Sequence, residues 1–184
     1  MKKLVIIGLI VGMLAVAGVI YFNSVVKSKS PETNVNFASG DLKIHVFYNQ
    51  PSKRGREIFG ELVPYGQVWR TGANEATIFE SNKDLIIKGK RLKAGKYTLW
   101  TIPQEESWTV IFNSETGQWG IDYKGVANRD PKNDVLSVDV RTVNSNKEFE
   151  QFTISVEKMD EDFDLILLWD KTLVTVPLTV AQKE

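Results

Sequence analysis

Beyond residue 40 the apolar positions recur every second residue, and a 3.6-residue period is hard to find. In Asp41 to Asn49, Leu42, Ile44, Val46 and Tyr48 share one face, with Lys43, His45 and Phe47 on the other. A short strand is expected over Ala76 to Glu80, followed by turn chemistry in Ser81-Asn82-Lys83-Asp84. Leu85 to Ile87 leads into a tight reversal at Lys88-Gly89-Lys90. A second turn around Gly95 then opens a strand that runs to Pro103. Trp108 to Asn113 is the next strand. Val135 to Val143 points Leu136, Val138 and Val140 inward, Asn144-Ser145-Asn146 is expected to turn the chain, and Gln151 to Lys158 alternates through Phe152, Ile154 and Val156. Phe163 to Trp169 is apolar on both faces, as suits a central strand covered on each side. Asp170-Lys171 is expected to make a hairpin into Leu173 to Val180, and Pro177 marks that last strand as an edge. About nine strands without a helix in this part predict an all-β fold, an antiparallel two-sheet sandwich of jelly-roll-like character.

The first residues break this pattern. Leu4 to Phe22 carries no charge and follows Lys2 and Lys3. As a helix it would be about 28 Å long, close to the hydrocarbon thickness of a bilayer. An N-terminal transmembrane helix is therefore expected, with the membrane as partner through Leu4 to Phe22. The lysines before the span place the C-terminal domain on the extracytoplasmic side, although Lys27 and Lys29 oppose this somewhat. The alternative is a cleaved signal peptide, since Ala15-Val16-Ala17 has the small-x-small form that a signal peptidase reads. The apolar run continues through Tyr21 and Phe22, which favours an uncleaved anchor. Asn23 to Ala38 reads as a polar tether, so the chain divides into an anchor over 1–27, a tether over 28–39 and a β-sandwich over 40–184.

Composition narrows the chemistry. An apolar content of 42% with 25% charged residues is that of a folded globule, which excludes wholesale disorder. The absence of cysteine excludes a disulfide scaffold, a thiolate metal site, a cysteine nucleophile and a lipoprotein anchor. The single histidine, His45, excludes any site built from two or more imidazoles. Outside residues 1–27, whose charges are Lys2, Lys3 and Lys27, there is a small acidic excess and no basic patch, which argues against nucleic acid. Neither a cofactor nor a metal is expected.

Two long segments interrupt the alternation: Arg56 to Thr77, and residues 114 to 134 with Trp119 and Tyr123. Long irregular loops of this size usually carry function. The motifs Arg56-x-Ile-Phe-Gly, Val63-Pro-Tyr-Gly-Gln-Val-Trp-Arg-Thr-Gly-Ala-Asn-Glu-Ala-Thr77, Gly89-Lys-x-Leu-x-Ala-Gly-x-Tyr97 and Trp108 resemble the bacterial domain-of-unknown-function family 2911 (DUF2911) over roughly residues 40 to 180. The resemblance implies an exported, mostly β domain of the bacterial cell envelope, and it implies no activity. The membrane-anchor-like start differs from the more usual cleaved signal of that family.

Within the first loop, Arg56 and Arg70 offer planar donor forks for a carboxylate, a phosphate or a pair of sugar hydroxyls, and Glu75 could accept hydrogen bonds or act as a base. The plainer alternative is an internal Arg–Glu bridge that fixes the loop to the sandwich. Tyr65, Trp69, Trp119 and Tyr123 could form an aromatic platform for a sugar ring, or the tryptophans could plug the sandwich end. Trp100, Trp108 and Trp169 are expected in the core, and Gly72 and Asn74 at turn conformations. His45 is expected at the surface or lining a pocket. Asp122, Asp130, Asn133 and Asp134 match no calcium-loop spacing and read as a solvated turn. No Gly-rich phosphate loop, nucleophile elbow or zinc-protease motif occurs. The candidate ligand-binding residues are Arg56, Tyr65, Trp69, Arg70, Asn74, Glu75 and Trp119. The expected function is a non-catalytic binding module for a small polar ligand or glycan. The alternatives are a hydrolase or lyase acting on an envelope saccharide with Glu75 as acid or base, and a structural or assembly module of the envelope.

Overall fold

The computed structural model describes residues 2–182, without the side chains of residues 2–7, 22, 23 and 26. A helix, α1 (Lys2–Lys29), precedes β1 (Glu32–Ser39), β2 (Leu42–Asn49), β3 (Thr77–Ser81), β4 (Leu85–Ile87) and β5 (Lys90–Leu92). There follow β6 (Gly95–Pro103), β7 (Ser107–Asn113), a one-turn 3₁₀ helix (Pro131–Asn133), β8 (Asp134–Met159) and β9 (Asp162–Val180). All pairings are antiparallel, in one nine-stranded sheet of order β1-β2-β3-β6-β7-β8-β9-β4-β5.

The fold is mostly β and antiparallel, as expected, with one sheet in place of two. Strands β8 and β9 explain the difference. Asn144-Ser145-Asn146 does not reverse the chain, and β8 runs for 26 residues. It pairs with β7 up to Arg141 and with β9 from Thr142 onward, with irregular register between Asn144 and Phe149 and again before Thr153. Asp170, at φ 52°, bends β9 without reversing it, because Asp170 still pairs with Phe149 and Thr172 with Asn144. Such irregularities let a long strand twist and change direction while keeping its neighbours. The sheet thereby folds over one core. Tyr48 of β2 is well separated from β8 in strand order, yet its ring lies 5.7 Å from that of Phe152 and its hydroxyl accepts the Ile154 N–H at 3.2 Å. Phe37 meets Phe163 at 5.4 Å.

Pro177 does not mark an edge, since the sheet edges are β1 and β5. Pairing with β8 ends at Val174 and pairing with β4 covers Leu178 to Val180, so the missing N–H of Pro177 falls between the two ladders. The expected tether is also replaced. Helix α1 continues to Lys29, and β1 pairs along the whole of β2, from Glu32 opposite Asn49 to Ser39 opposite Leu42. Thr33, Val35 and Phe37 form its half-buried face, a weak alternation obscured by the intervening asparagines. On β9 one face is buried through Phe163, Leu165, Leu167 and Trp169, while Ile166 and Leu168 on the other are only half covered.

The outer face of the sheet around β6 and β7 carries a second, smaller core. Trp100 and Ile111 are buried there with Ala76, beneath Val68 and Ala127 of the two long loops. Those loops therefore lie on the sheet as a covering layer. Among the described residues no helix is long and apolar enough to cross a membrane. The described apolar stretch of α1, Gly8–Tyr21, is shorter than the roughly 20 residues a span needs. Leu4–Ile7 and Phe22 of the expected span lie outside the described side chains.

Candidate functional site

The first loop is fastened to the sheet by Trp69. Its N–H and C=O exchange hydrogen bonds with Thr101 of β6 at 2.7 and 3.0 Å. Its indole stacks on Trp169 at 5.9 Å and meets Phe152, Trp108 and Phe59 edge-on. Such ring geometries contribute beyond area burial. The indole N–H then donates to Gly72 O at 3.0 Å, which requires the chain to curl back on itself. Thr71 and Asn74 make that curl at φ 54° and 55°. A β-branched residue in the left-handed region is strained. Three contacts hold Thr71 there: its hydroxyl lies 3.1 Å from that of Thr101 and donates to Trp69 O at 3.4 Å, and its carbonyl accepts from Thr77 Oγ1 at 2.6 Å. A side chain at Gly72 would meet Asn49 O at 3.0 Å and Thr77 Oγ1 at 3.1 Å, so the close approach of the curl to β2 requires glycine.

The second loop crosses the first at this curl. Gly120 N donates to Asn74 O at 3.0 Å, Asn128 N donates to Gly120 O at 3.2 Å, and Trp119 forms a β-bridge with Glu75. A Cβ on Gly120 would come within 2.8 Å of Arg70 Cβ and 2.9 Å of Cγ, and closer still to Cδ. The aliphatic stem of Arg70 thus occupies the space that any other residue at position 120 would need.

Where the loops meet there is a cavity of about 460 Å³, walled by parts of residues 51–74 and 121–127, with Trp169, the last α1 residue Lys29 and the following Ser30. That volume suits a small ligand. Of the expected site residues, Arg56, Trp69, Arg70 and Asn74 line it. Glu75 does not. Its Oε2 accepts from Asn49 Nδ2 at 2.8 Å, and its Oε1 lies 3.1 Å from Lys27 Nζ, which also holds Glu32 at 2.5 Å. The Arg70–Glu75 bridge is therefore not formed, and Lys27 takes the carboxylate instead. Asn74 Nδ2 donates to the buried Asn49 at 3.2 Å, so Asn49 ties the curl to Glu75.

The aromatic platform is not assembled. Trp69 plugs the core. Tyr65, 38% exposed, borders a separate depression of about 360 Å³ with Glu57 and Glu105, and burial, then those carboxylates, raise its pKa. Trp119 is 43% and Tyr123 92% exposed, away from the cavity lining. His45 lies 2.9 Å from Asn34 on the neighbouring strand. Asp130 caps the 3₁₀ helix through Lys132 N, Asp122 Oδ1 accepts from Lys124 N and Val126 N, and Asp134 takes Asn113 and Arg129. Asp122 and Asp130 thus form turns, and Asp134 is an ion-pair partner.

Electrostatically the cavity has one sign. Lys29, Arg54, Arg56 and Arg70 line it, and no carboxylate does. Arg56 is held by backbone carbonyls, Nε to Lys53 O at 2.9 Å and Nη2 to Ser52 O at 2.6 Å, while Arg54 Nη2 donates to Lys29 O. Among the described residues, none of the four is within 4.0 Å of a carboxylate. Arg70 Nε is buried without an acceptor. Desolvation lowers the Arg70 pKa, and the charge of Glu75 opposes that shift without contact. Sequence reasoning missed Lys29, Arg54 and Asn49. Arg54 stands two residues before the loop, whereas Lys29 comes from the end of α1 and Asn49 from the end of β2.

Residues 30–178 match the model of a family described as Protein of unknown function (DUF2911). No curated protein and no solved structure matches the chain.

Proposed function

The chain belongs to the DUF2911 family, and on that premise we propose that its β domain is a non-catalytic binding module that takes a small polar ligand in the cavity between the two long loops. The observation that supports this most is Arg70, a cation fixed by the curl and by Gly120 at a cavity wall, whose buried Nε has no partner in the protein. Fixed donors around a concave space of this size are the usual make-up of a ligand pocket. The placement of Glu75, bound by Lys27 and Asn49 and outside the lining, gives no support to its use as acid or base on a saccharide. A thermal-shift screen of the full chain in a neutral detergent, covering charged and neutral saccharides and small metabolites, tests the reading. At least one saturable shift that is lost in Arg70→Gln is expected, and uniform silence would refute it.

The proposed setting is a bacterial envelope membrane, with α1 as a single-pass anchor and the β domain on the extracytoplasmic side. Its support is the apolar surface of α1, where Leu9, Ile10, Val11, Met13, Leu14 and Val16 are each more than half exposed. Water does not tolerate so large a continuous apolar surface on a monomer. Alkaline carbonate extraction of cells expressing the chain should leave it in the pellet. Recovery in the supernatant at full length would remove the anchor.

A further inference from the structure

We infer that the cavity is built for an anion carrying an apolar stem, of the class of phosphate mono- and diesters, with Arg70 receiving the charge. This inference rests on the proposed binding role of the same cavity and adds the chemistry of its occupant. Two loop arginines make the contrast. Arg129 is mostly buried and its Nη1 lies 2.5 Å from Asp134 Oδ2, whereas Arg70 has no carboxylate on it. A half-buried guanidinium whose Nε is sealed off without an acceptor or a counter-charge is costly unless something supplies one. The protein does not, and the other cations of the cavity add to the deficit.

Those cations are positioned as receivers. Arg56 is fixed through two of its nitrogens by the Lys53 and Ser52 carbonyls, and Arg54 through one by Lys29 O, which leaves further N–H donors on each fork. Neutral carbonyl partners orient a guanidinium without cancelling its charge. Phosphate matches the fork with two parallel hydrogen bonds, as a neutral sugar hydroxyl does not. Beside this charged wall, Leu62, Val63, Pro64, Val68, Ile121 and Ala127 form an apolar one. A ligand that is only an ion would leave that wall wet, so an ester with a hydrocarbon portion fits better.

Two sources share this chemistry: a soluble phosphate ester and a phospholipid headgroup. Lys29, the last residue of α1, and Ser30 just after it line the cavity, so a bilayer holding α1 would present its headgroups beside the opening. The test uses the full chain in a neutral maltoside detergent, with binding read by tryptophan fluorescence and calorimetry. The probes are inorganic phosphate, glycerol phosphate, short-chain phosphatidylglycerol, short-chain phosphatidylcholine and a neutral disaccharide. Saturable binding of phosphatidylglycerol is expected, weaker at high salt, absent with phosphatidylcholine, and reduced at least tenfold in Arg70→Gln. Competition by glycerol phosphate at similar concentration would assign the soluble source, and no competition the lipid. Should Arg70→Gln not fold, Arg56→Gln, whose partners are two backbone carbonyls, is expected to weaken the same binding severalfold. Equal binding of phosphatidylcholine, or binding unchanged in both variants, would overturn the inference. Binding of the disaccharide alone would overturn it while leaving the cavity a ligand site, and silence from all five probes would overturn it and leave the binding role to the broader thermal-shift screen.

Discussion

Gly120→Ala should destabilise the protein, and the size of the loss follows from the geometry. The glycine is not in the left-handed region, so an alanine there meets no backbone penalty and would ordinarily stabilise by about 0.4–1 kcal/mol through the unfolded state. The added methyl, however, would stand within 2.8 and 2.9 Å of Arg70 Cβ and Cγ. The loop cannot retreat freely, because Gly120 is bonded to Asn74 O at 3.0 Å and Asn128 N at 3.2 Å on its two sides. Either Arg70 is displaced, at an overpacking cost of about 1–3 kcal/mol, or those two hydrogen bonds are lost, at about 0.5–1.5 kcal/mol each. Both routes leave a net loss of about 1–2 kcal/mol. Urea unfolding of the full chain, followed by tryptophan fluorescence, should show the midpoint fall with the slope unchanged. The same substitution in an Arg70→Gly background should cost at least about 1 kcal/mol less, since the Cβ and the stem that obstruct it are both gone. Equal costs in the two backgrounds, or a stabilised single variant, would refute the clamp.

Other expectations bear on the surrounding network. Asn49→Ala should cost about 2–4 kcal/mol in urea unfolding, because it removes a hydrogen bond to the Glu75 carboxylate and orphans the buried Asn74 amide; a loss below about 0.5 kcal/mol would contradict that network. Glu75→Gln should cost no more than about 1 kcal/mol, because Lys27 and Glu75 are 41% and 30% exposed; a loss of about 3–5 kcal/mol would mean a buried pair instead. Asp164 stands directly opposite Glu157 on the β8–β9 ladder, and burial first, then Asp162 and Glu157, raise its pKa. A raised folded-state value makes Asp164 unfavourable to the fold at neutral pH and neutral to it once protonated in both states. Asp164→Asn should therefore raise the urea midpoint at pH 7, with the gain vanishing as pH falls below 3.8; a gain independent of pH would contradict this.

Much of the fold was legible because its signal is local. The buried face of β2 and the inward set of β8 follow directly from period-two alternation, whereas β6 and β7 read as strands but are buried on both faces, which alternation does not show. What misled were residues with two uses. Asn144-Ser145-Asn146 and Asp170-Lys171 have the composition of turns, yet they act as bends within long strands, a distinction that only pairing on both sides can make. The β1 strand was hidden because an edge strand with one half-buried face tolerates asparagine on its exposed face, here Asn34 and Asn36. At the site, the sequence placed Arg56, Trp69, Arg70 and Asn74 together because they share a loop. It paired Arg70 with Glu75 because opposite charges close in sequence invite it. The competing lysine comes from α1, 48 positions earlier, and a contact of that span has no local signature.

The closing ladder between β4 and β9 has a consequence for how the polypeptide matures. Residues 85–87 leave the ribosome or a translocation channel long before their partners at 178–180, and nothing nearer in the chain satisfies that edge. Until Val180 is free, the half-built sheet displays Leu85, Ile87 and the inner faces of β2 and β7 to water. Contacts between residues so distant in sequence are slow to form, and an open apolar sheet is prone to pairing with other chains meanwhile. The nascent chain should accordingly behave as a client of holdase chaperones for most of its emergence, and acquire protease resistance in a single step once its final strand is released.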